Sequence, residues 1–274
     1  MFNNPEPLSI ESEKKETFLK EHLRGLTSVA VAFSGGVDSA YLADVAHEVL
    51  GENAHIVLAD SPSIPRSELK EASDLAHARG WNFHIVKTFE YQNEQYQKND
   101  GTRCYHCKLE LFRVLKKYAA EHHVVHVVYG ANMDDLKDPT RLGSKAAEEC
   151  GAIAPLQLAG MTKEDIRILS AKRHLPTADK PSFACLASRF PRGTTVTVDG
   201  LEKVEKAEEV LKALGFRQYR VRHHGELCRI EVELSDFEKF LQPQVRGEVI
   251  RNLNSLGYRF VTLDLAGYRT GSTA

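Results

Sequence analysis

A chain of 274 residues with 42% apolar and 27% charged residues is long enough to bury a full core, and at this length we expect two domains. Its formal net charge of −2 argues against a protein that binds long nucleic acids by bulk electrostatics. The start of the chain shows no basic region followed by an apolar run, and no apolar stretch is long enough to cross a membrane. We therefore expect a cytoplasmic protein with no membrane partner.

The first two-thirds of the sequence alternates predicted strands with predicted helices. The strands are predicted at 27–33, 55–59, 82–86 and 124–129, and the helices at 38–50, 66–79, 107–122 and 162–173. This alternation indicates an α/β fold with a doubly wound parallel sheet, in which ligands bind at the carboxyl ends of the strands. The loops that follow Phe33, Ala59 and Tyr129 are therefore expected to meet at that edge.

The pattern changes near residue 190. Strands are predicted at 194–198, 219–223, 227–233 and 258–265, with an amphipathic helix at 201–214 and a helical region at 235–256 that is broken at Pro243. The order βαββαβ predicts a smaller α+β unit of ferredoxin-like or related type. We therefore divide the chain into residues 1–189 and residues 190–274.

The segment SGGVDS at 34–39 ends the first predicted strand and opens a helix. Gly35 and Gly36 let the backbone turn sharply and approach a ligand, while N–H groups at the helix start and the hydroxyls of Ser34 and Ser39 favour a polyanion. No lysine follows the second glycine, so this is not a Walker A loop. The segment resembles the PP-loop of ATP pyrophosphatases, and that resemblance gives Asp38 a role in holding Mg²⁺. A glycine turn that merely packs strand against helix is the alternative.

Five cysteines cannot form a complete disulfide framework, so metal binding or thiol chemistry is expected. Cys104 and Cys107 form a C-x₂-C pair at the start of a predicted helix, and Cys185 lies in a segment without periodicity that we interpret as a loop. Thiolates bind iron–sulfur clusters or soft metals, and they also attack activated carbonyls. A structural zinc is the alternative for the C-x₂-C pair. Cys150 and Cys228 fit small buried core residues.

Five segments stand out together along the chain: SGGVDS, CYHCK, PSFACLASRFPRGT, RVRHHGELCRIEV and SLGYRFVTLDLAGYRTG. In this combination they resemble the LarE family, ATP-dependent sulfur transferases of nickel-pincer nucleotide synthesis, which makes the cofactor of lactate racemase. The resemblance runs from the PP-loop to the C-terminus. It implies an adenine nucleotide alpha hydrolase-like domain at 1–189 that binds ATP and adenylates, and an α+β domain at 190–274 that binds substrate or oligomerises.

The resemblance also implies a reaction. Family members adenylate a carboxylate of pyridinium-3,5-biscarboxylic acid mononucleotide, release pyrophosphate and form a thiocarboxylate. In a single-cysteine branch the thiol that Cys185 matches gives up its own sulfur. In a three-cysteine branch, which this chain resembles more, Cys104, Cys107 and Cys185 hold a [4Fe-4S] cluster; zinc or no metal is the fallback. An external sulfur donor, other nickel-pincer biosynthesis proteins and a homo-oligomer are then expected as partners.

In the nucleotide site of such families, the loops after the second and fourth strands also take part. Here the resemblance places Asp60 and Ser61 near the adenosine, and Gly130 and Asn132 in the loop after the fourth strand. Asp135 is implied as a second Mg²⁺ ligand, with a simple turn cap as its alternative.

A substrate clamp is expected from three arginines. Arg220 and Arg222 are two apart on a predicted strand, so both point to one face, and Arg189 follows Cys185 by four residues. Guanidinium groups suit bidentate recognition of phosphate and carboxylate. A solvated basic strand face is the alternative, and Glu231 on the neighbouring strand is expected to pair with these arginines or to hold a metal.

Three other functions compete with the sulfur transferase. A tRNA thiolase can use the same PP-loop and cluster chemistry, but it favours a broad basic surface that this sequence lacks. An ATP-dependent amide-forming synthetase shares the loop without needing three cysteines. A nucleotide- or metal-sensing module is the non-enzyme alternative.

Overall fold

A computed structural model describes residues 8–137, 142–181 and 184–269. The strands are β1 (Val29–Phe33), β2 (Ala54–Asp60), β3 (Asn82–Lys87), β4 (His126–Tyr129), β5 (Tyr219–His224), β6 (Leu227–Val232) and β7 (Phe260–Leu263). The helices are α1 (Leu8–Leu26), α2 (Val37–Leu50), α3 (Arg66–Ala78), α4 (Glu94–Gln97), α5 (Arg103–Glu121), α6 (Gly143–Glu149), α7 (Pro155–Leu158), α8 (Lys163–Lys172), α9 (Val198–Ala213), α10 (Phe237–Leu241) and α11 (Pro243–Ser255). Short 3₁₀ turns include Met133–Lys137 and Leu186–Arg189.

The chain folds into two compact units, and each unit is built from several separate segments of the sequence. The first contains the described residues of 1–61, 66–90 and 104–183; the second contains 62–65, 91–103 and the described residues from 184 onward. The expected division at residue 190 thus differs from these units at three places, of which the shortest is 62–65. The turn that carries Cys185 belongs to the second unit, and so does the segment 91–103, because Val196 N donates to Gln97 O and Gly193 N to Asn99 O.

The first unit is a parallel sheet in the order β3-β2-β1-β4. Alternate residues of β1 enter different cores: Val29 and Val31 pack in the core that includes α2, whereas Ala30 packs with Phe112 and Leu115 of α5. This two-sided burial confirms the predicted doubly wound α/β fold, because both faces of a parallel sheet must be covered by helices. Because β1 and β4 pair in parallel, their carboxyl ends lie side by side.

The sequence did not reveal α1, because its composition is polar and mixed. Its mean hydropathy is slightly negative, yet Leu19 and Leu23 are fully buried. Long-range bonds hold it in place: Ser12 Oγ donates to Asp165 Oδ1 at 2.6 Å and Lys15 Nζ to Asp165 Oδ2 at 2.8 Å. Tertiary contacts thus decide this helix, rather than local propensity.

The second unit contains a sheet in the order β5-β6-β7, with β5 and β6 antiparallel and β6 and β7 parallel. One face packs on α9 and α11 through Leu211, Val249 and Leu253. The predicted strand at 194–198 is wrong: α9 begins at Val198, and the Thr197 side chain caps it by accepting from Gly200 N. Thr is a favoured N-cap, and that role ends the extended segment before it can pair.

Candidate active site

The SGGVDS segment joins β1 to α2 as a tight loop. The hydroxyls of Ser34 and Ser39 lie 3.0 Å apart, Ser34 N donates to Ser39 Oγ at 3.1 Å, and Ser39 Oγ donates to Gly36 O at 3.1 Å. The first turn of α2 therefore opens onto a loop whose serines are already arranged around its N-terminus. Helix N–H groups and hydroxyls in this arrangement can bind phosphate oxygens.

Two glycines permit this loop to form. Gly35 has φ +73°, and a Cβ placed on it would lie 2.9 Å from Ala72 Cβ. A Cβ on Gly130, in the loop after β4, would lie 2.9 Å from Ser39 N and 3.0 Å from the Asp38 carbonyl carbon. Because all three contacts of 3.0 Å or less at Gly130 are to backbone, no side-chain rotation relieves them. The loop after β4 thus lies directly against the start of α2, as the sequence predicts for this sheet edge.

Asn132 connects two carboxylates of this site. Its Nδ2 donates to Asp38 Oδ1 at 3.2 Å, and its backbone N donates to Asp135 Oδ2 at 3.0 Å. Oxygen atoms are the ligands that Mg²⁺ prefers, so the carboxylates of Asp38 and Asp135 fit that ion. The second of these bonds is a cap of the turn by the Asp135 side chain, and Asp135 N closes the same turn by donating to Asn132 O at 3.2 Å. The role as turn cap is therefore observed, and the role as metal ligand stays a prediction.

A lysine that sequence reasoning missed completes the loop. Lys163, the first residue of α8, donates from Nζ to Asp38 Oδ2 at 2.5 Å. Its backbone N donates to Asp134 Oδ2 at 2.8 Å. Hydrogen bonds from Lys137 and from the Lys163 backbone lower the pKa of Asp134. The signal in the sequence is a capping box, Thr162 with Asp165, which fixes the start of α8 and so places Lys163 in its first turn.

Asp60 and Ser61 lie at the end of β2. Asp60 Oδ1 accepts from Arg66 Nη1 at 2.5 Å, and Arg66 Nη2 also donates to the Ser61 carbonyl. The Ser61 hydroxyl donates to Glu90, whose carboxylate is buried. Asp60 and Ser61 are thus fixed by side chains of the first unit, at the end of a strand adjacent to β1.

Cys104 and Cys107 are the second and fifth residues of α5, three positions apart, so that they share one side of the helix. Cys104 is exposed and Cys107 is half-buried. Tyr105, between them, donates to Glu149 Oε2 at 2.5 Å. The spacing and exposure suit two thiolate ligands of a metal or cluster, or a reactive pair of thiols.

Cys185 belongs to the second unit, where it precedes the 3₁₀ turn Leu186–Arg189 and is half-buried. Ser182 and Phe183 of the same motif lie outside the described residues. The fully buried Arg189 donates from Nη1 to the carbonyls of Ala184 at 2.5 Å and Cys185 at 3.1 Å.

Arg189 also pairs with Glu208 of α9, through Nε to Oε1 at 2.9 Å and Nη2 to Oε2 at 3.0 Å. This geometry engages every nitrogen of the guanidinium group within the second unit. It suits support of the Cys185 turn, whereas the substrate role expected for Arg189 stays a prediction.

Arg220 and Arg222 share the face of β5 opposite α9 and α11, yet they differ in environment. Arg222 is buried and donates to both oxygens of Glu231, at 3.0 and 2.8 Å. This is the pairing with an arginine that was one of the two roles expected for Glu231. Arg222 Nη1 also donates to Ser188 O at 3.1 Å. Arg220 forms no ion pair with any described residue and lies 5.1 Å from the ring centre of Tyr268. Burial, and then the charge of Arg189, lower the pKa of Arg220.

The remaining cysteines are core residues. Cys150 and Cys228 are buried, and burial raises the pKa of the Cys228 thiol to about 12, which keeps it protonated and inert. Among the described residues, no three His, Cys, Asp or Glu side chains are gathered closely enough to hold a metal ion. In the same part of the chain, no helix is both long and apolar enough to span a bilayer.

Comparisons with known proteins match both the loop and the whole chain. A family model described as NAD synthase matches residues 11–178. An uncharacterized protein of Synechocystis is 40% identical over 94% of this chain and 96% of its own length. The pyridinium-3,5-bisthiocarboxylic acid mononucleotide synthase of Lactiplantibacillus plantarum is 38% identical over 94% of this chain and 92% of its own length. An NH₃-dependent NAD⁺ synthetase of Methanococcoides burtonii is 38% identical, but over only 23% of this chain.

Proposed function

This chain belongs to the LarE family of PP-loop enzymes, and from that premise we propose that it is an ATP-dependent sulfur transferase of nickel-pincer nucleotide synthesis. Its substrate is pyridinium-3,5-biscarboxylic acid mononucleotide, and its product carries a thiocarboxylate. The single observation that carries the proposal is the loop of Ser34 and Ser39 with Asp38 and Lys163 beside it, in a chain whose match to the Lactiplantibacillus synthase extends over both units.

The first step activates a carboxylate. A carboxylate oxygen of the substrate attacks the α-phosphorus of ATP, the bond to the β-phosphate bridging oxygen breaks, and pyrophosphate leaves. N–H groups of the first turn of α2, together with the hydroxyls of Ser34 and Ser39, bind the departing pyrophosphate. Lys163 adds a positive charge at the same place. Hydrogen bonds among Ser34, Gly36 and Ser39 fix the loop, so little reorganisation of its groups is needed during the reaction.

Asp38 and Asp135 would hold Mg²⁺, which when bound neutralises phosphate charge. Asn132 contacts both carboxylates and keeps them near one another. Lys163 donates to Asp38 at 2.5 Å. When the nucleotide binds, the same ammonium group can donate to a phosphate oxygen instead. Asp60 and Ser61, on the neighbouring strand, face the adenosine side of this edge in the proposal.

The second step brings in sulfur, which displaces AMP from the acyl adenylate. We infer that Cys104, Cys107 and Cys185 hold a [4Fe-4S] cluster, which when bound supplies a sulfide nucleophile. Cys104 and Cys107 fit as two ligands because they share one side of α5. The alternative is that Cys185 donates its own sulfur and becomes dehydroalanine. An external donor and a homo-oligomer belong to the proposal with the cluster.

Arg220 is the arginine that best suits substrate binding. Arg189 and Arg222 both donate to glutamates and to carbonyls of the Cys185 turn, whereas Arg220 has no carboxylate partner among the described residues. A half-buried guanidinium that no described carboxylate pairs with favours a phosphate or carboxylate ligand. The proposal therefore assigns the substrate anion to Arg220, with Arg222 and Arg189 supporting the same region.

The direct test follows both products. The protein is purified without oxygen, its iron and labile sulfide are measured, and pyrophosphate release is recorded with ATP and the biscarboxylic mononucleotide. Release of pyrophosphate and formation of a thiocarboxylate support the proposal, and loss of iron in Cys104→Ala supports the cluster. Loss of one sulfur from Cys185 after turnover, detected by mass spectrometry, assigns the sacrificial route instead. No pyrophosphate release with this substrate overturns the proposal.

A second candidate is an ammonia-dependent amide synthetase, which the NAD synthase family match over residues 11–178 favours. That activity needs the PP-loop but no cysteine. Amide formation with ammonia that is unaffected by Cys185→Ala would assign the chain to it. Sulfur transfer that disappears in Cys185→Ala would exclude it.

A further inference from the structure

Side chains bind several backbone carbonyls of the turn that carries Cys185. Arg189 binds the carbonyls of Ala184 and Cys185, and Arg222 binds that of Ser188. Each of these arginines is itself fixed by a glutamate. The carbonyls of Ala184, Cys185 and Ser188 are therefore held through Glu208 of α9 and Glu231 of the second unit's sheet.

Further carbonyls, in this turn and directly after it, are bound by the segment 91–103, which lies far away in the sequence. Arg103 Nη1 donates to the carbonyl of Ala187 at 2.7 Å and to Asn99 Oδ1 at 2.6 Å. Asn99 Nδ2 donates to the carbonyls of Phe190 at 3.2 Å and Pro191 at 2.7 Å. Asn99 and Arg103 thus bind three carbonyls in and directly after the turn, and each other.

Asn99 is specified by its backbone as well as by its side chain. It has φ +51°, in the left-handed region that asparagine tolerates better than most residues, and it is buried. Its own carbonyl accepts from Gly193 N at 3.1 Å, so the contact continues past the turn. A residue that must adopt this conformation and also present an amide group is seldom replaceable.

We propose that Asn99 and Arg103 are positioning residues for the Cys185 thiol. A bound carbonyl fixes the plane of its peptide, and fixed peptides on the C-terminal side of Cys185 fix the backbone from which its side chain projects. The inference rests on the proposed function, in which Cys185 takes part in the sulfur step. Misplacement of a reacting group by about 1 Å costs on the order of 100-fold in rate, so a mobile turn would slow that step.

The experiment compares Asn99→Asp, Arg103→Ala and Arg103→Lys with Lys98→Ala. Asn99→Asp keeps the size of the side chain and tolerance of positive φ but removes both amide donors. Arg103→Lys keeps the charge but can bond only one of the two acceptors well. Lys98 is exposed on the same segment and provides the matched control. Folding of each variant is checked by its thermal unfolding midpoint.

The primary readout is the rate of alkylation of Cys185 by iodoacetamide, measured for its own peptide by mass spectrometry. Loss of the carbonyl contacts frees the turn, so we expect Cys185 to react about tenfold faster in Asn99→Asp and Arg103→Ala. Arg103→Lys should be intermediate, and Lys98→Ala should match the parent. Should Arg103→Ala not fold, Arg103→Lys and Asn99→Asp decide. Alkylation within about twofold of the parent in folded variants overturns the proposal.

The second readout separates the two chemical steps. We expect pyrophosphate release to stay within about threefold of the parent while sulfur transfer falls by about 100-fold, because only the second step needs the thiol in place. Equal loss of both steps overturns the positioning role. A parent protein that releases no pyrophosphate overturns the proposed function instead, and the alkylation rates still decide whether Asn99 and Arg103 position Cys185.

Discussion

The ammonium group of Lys163 lies 2.5 Å from a carboxylate oxygen of Asp38, although 125 positions separate the two residues in the chain. The parallel sheet produces this contact, because α2 starts from β1 and the loop after β4 leads toward the start of α8. Lys163 is also the first residue of α8, whose N-terminal backbone bonds Asp134. A cation and the carboxylate that we predict to bind Mg²⁺ are thus placed at the same edge of the sheet.

Replacement of Lys163 tests this contact. Lys163→Met keeps the length of the side chain and removes its charge, so pyrophosphate release should fall by about 100-fold, as for loss of one preorganised donor. Lys172→Met, in the last turn of the same helix, removes a cation that pairs with Glu13 and should leave the rate unchanged. A Lys163→Met variant with the rate of the parent protein would remove this lysine from the proposed site.

Gly130 tests the close approach of two backbones. Gly130→Ala adds a Cβ 2.9 Å from Ser39 N, and neither backbone can move without opening the loop. We expect a destabilisation of about 1–3 kcal/mol, and weaker ATP binding, measured by urea unfolding and by calorimetric titration with ATP. Gly247→Ala is the matched control, because nothing lies within 4 Å of that Cβ and the residue is inside α11. The control should gain up to about 1 kcal/mol. Equal behaviour of the two variants would contradict the contact.

The nucleotide loop could be predicted because its signals are local. A buried strand, two glycines and a helix start all fall within 27–50. Arg189 could not be interpreted in this way. Its guanidinium group is completely buried because it pairs with Glu208, nineteen residues later, and no pattern in the sequence indicates that ion pair. Arg189 and Arg222 were expected to bind substrate, yet both are bound to glutamates. The segment 91–103 showed no signal at all, since its role consists of contacts with a turn about ninety residues away.

Arg220 and Arg222 are predicted to respond differently to the same substitution. Arg222→Ala removes two hydrogen bonds from the buried carboxylate of Glu231, which keeps its 3.2 Å contact with Arg229, so we expect a loss of about 3–5 kcal/mol in stability. Arg220→Ala removes no ion pair and should cost about 1 kcal/mol or less. If Arg220 binds the substrate anion, Arg220→Ala should also raise KM for the mononucleotide, by about tenfold or more. Urea unfolding and steady-state kinetics measure the two effects, and an unchanged KM in Arg220→Ala would remove it from the substrate site.

Asp165 gives the first unit a defined pH dependence. Its burial opposes ionisation, but hydrogen bonds from Lys15, Ser12 and Thr162 outweigh this and lower its pKa to about 2. The unfolded value is about 3.9, so the folded state favours the ionised form. The resulting stability, about 2 kcal/mol, is fully present above roughly pH 5 and is lost as the pH falls through 4 toward 2.

The variant Asp165→Asn tests that dependence, because asparagine keeps the shape of the side chain but does not titrate. The parent should be more stable than the variant by about 2 kcal/mol at neutral pH, and the difference should shrink below about pH 4. Glu11→Gln is the control: Glu11 is exposed on α1 and its 3.7 Å contact to Lys15 contributes little, so its effect should be small at every pH. Urea unfolding between pH 7 and pH 3 measures both variants. A stability difference for Asp165→Asn that stays constant over this range would show that the ionised carboxylate is not what joins α1 to α8.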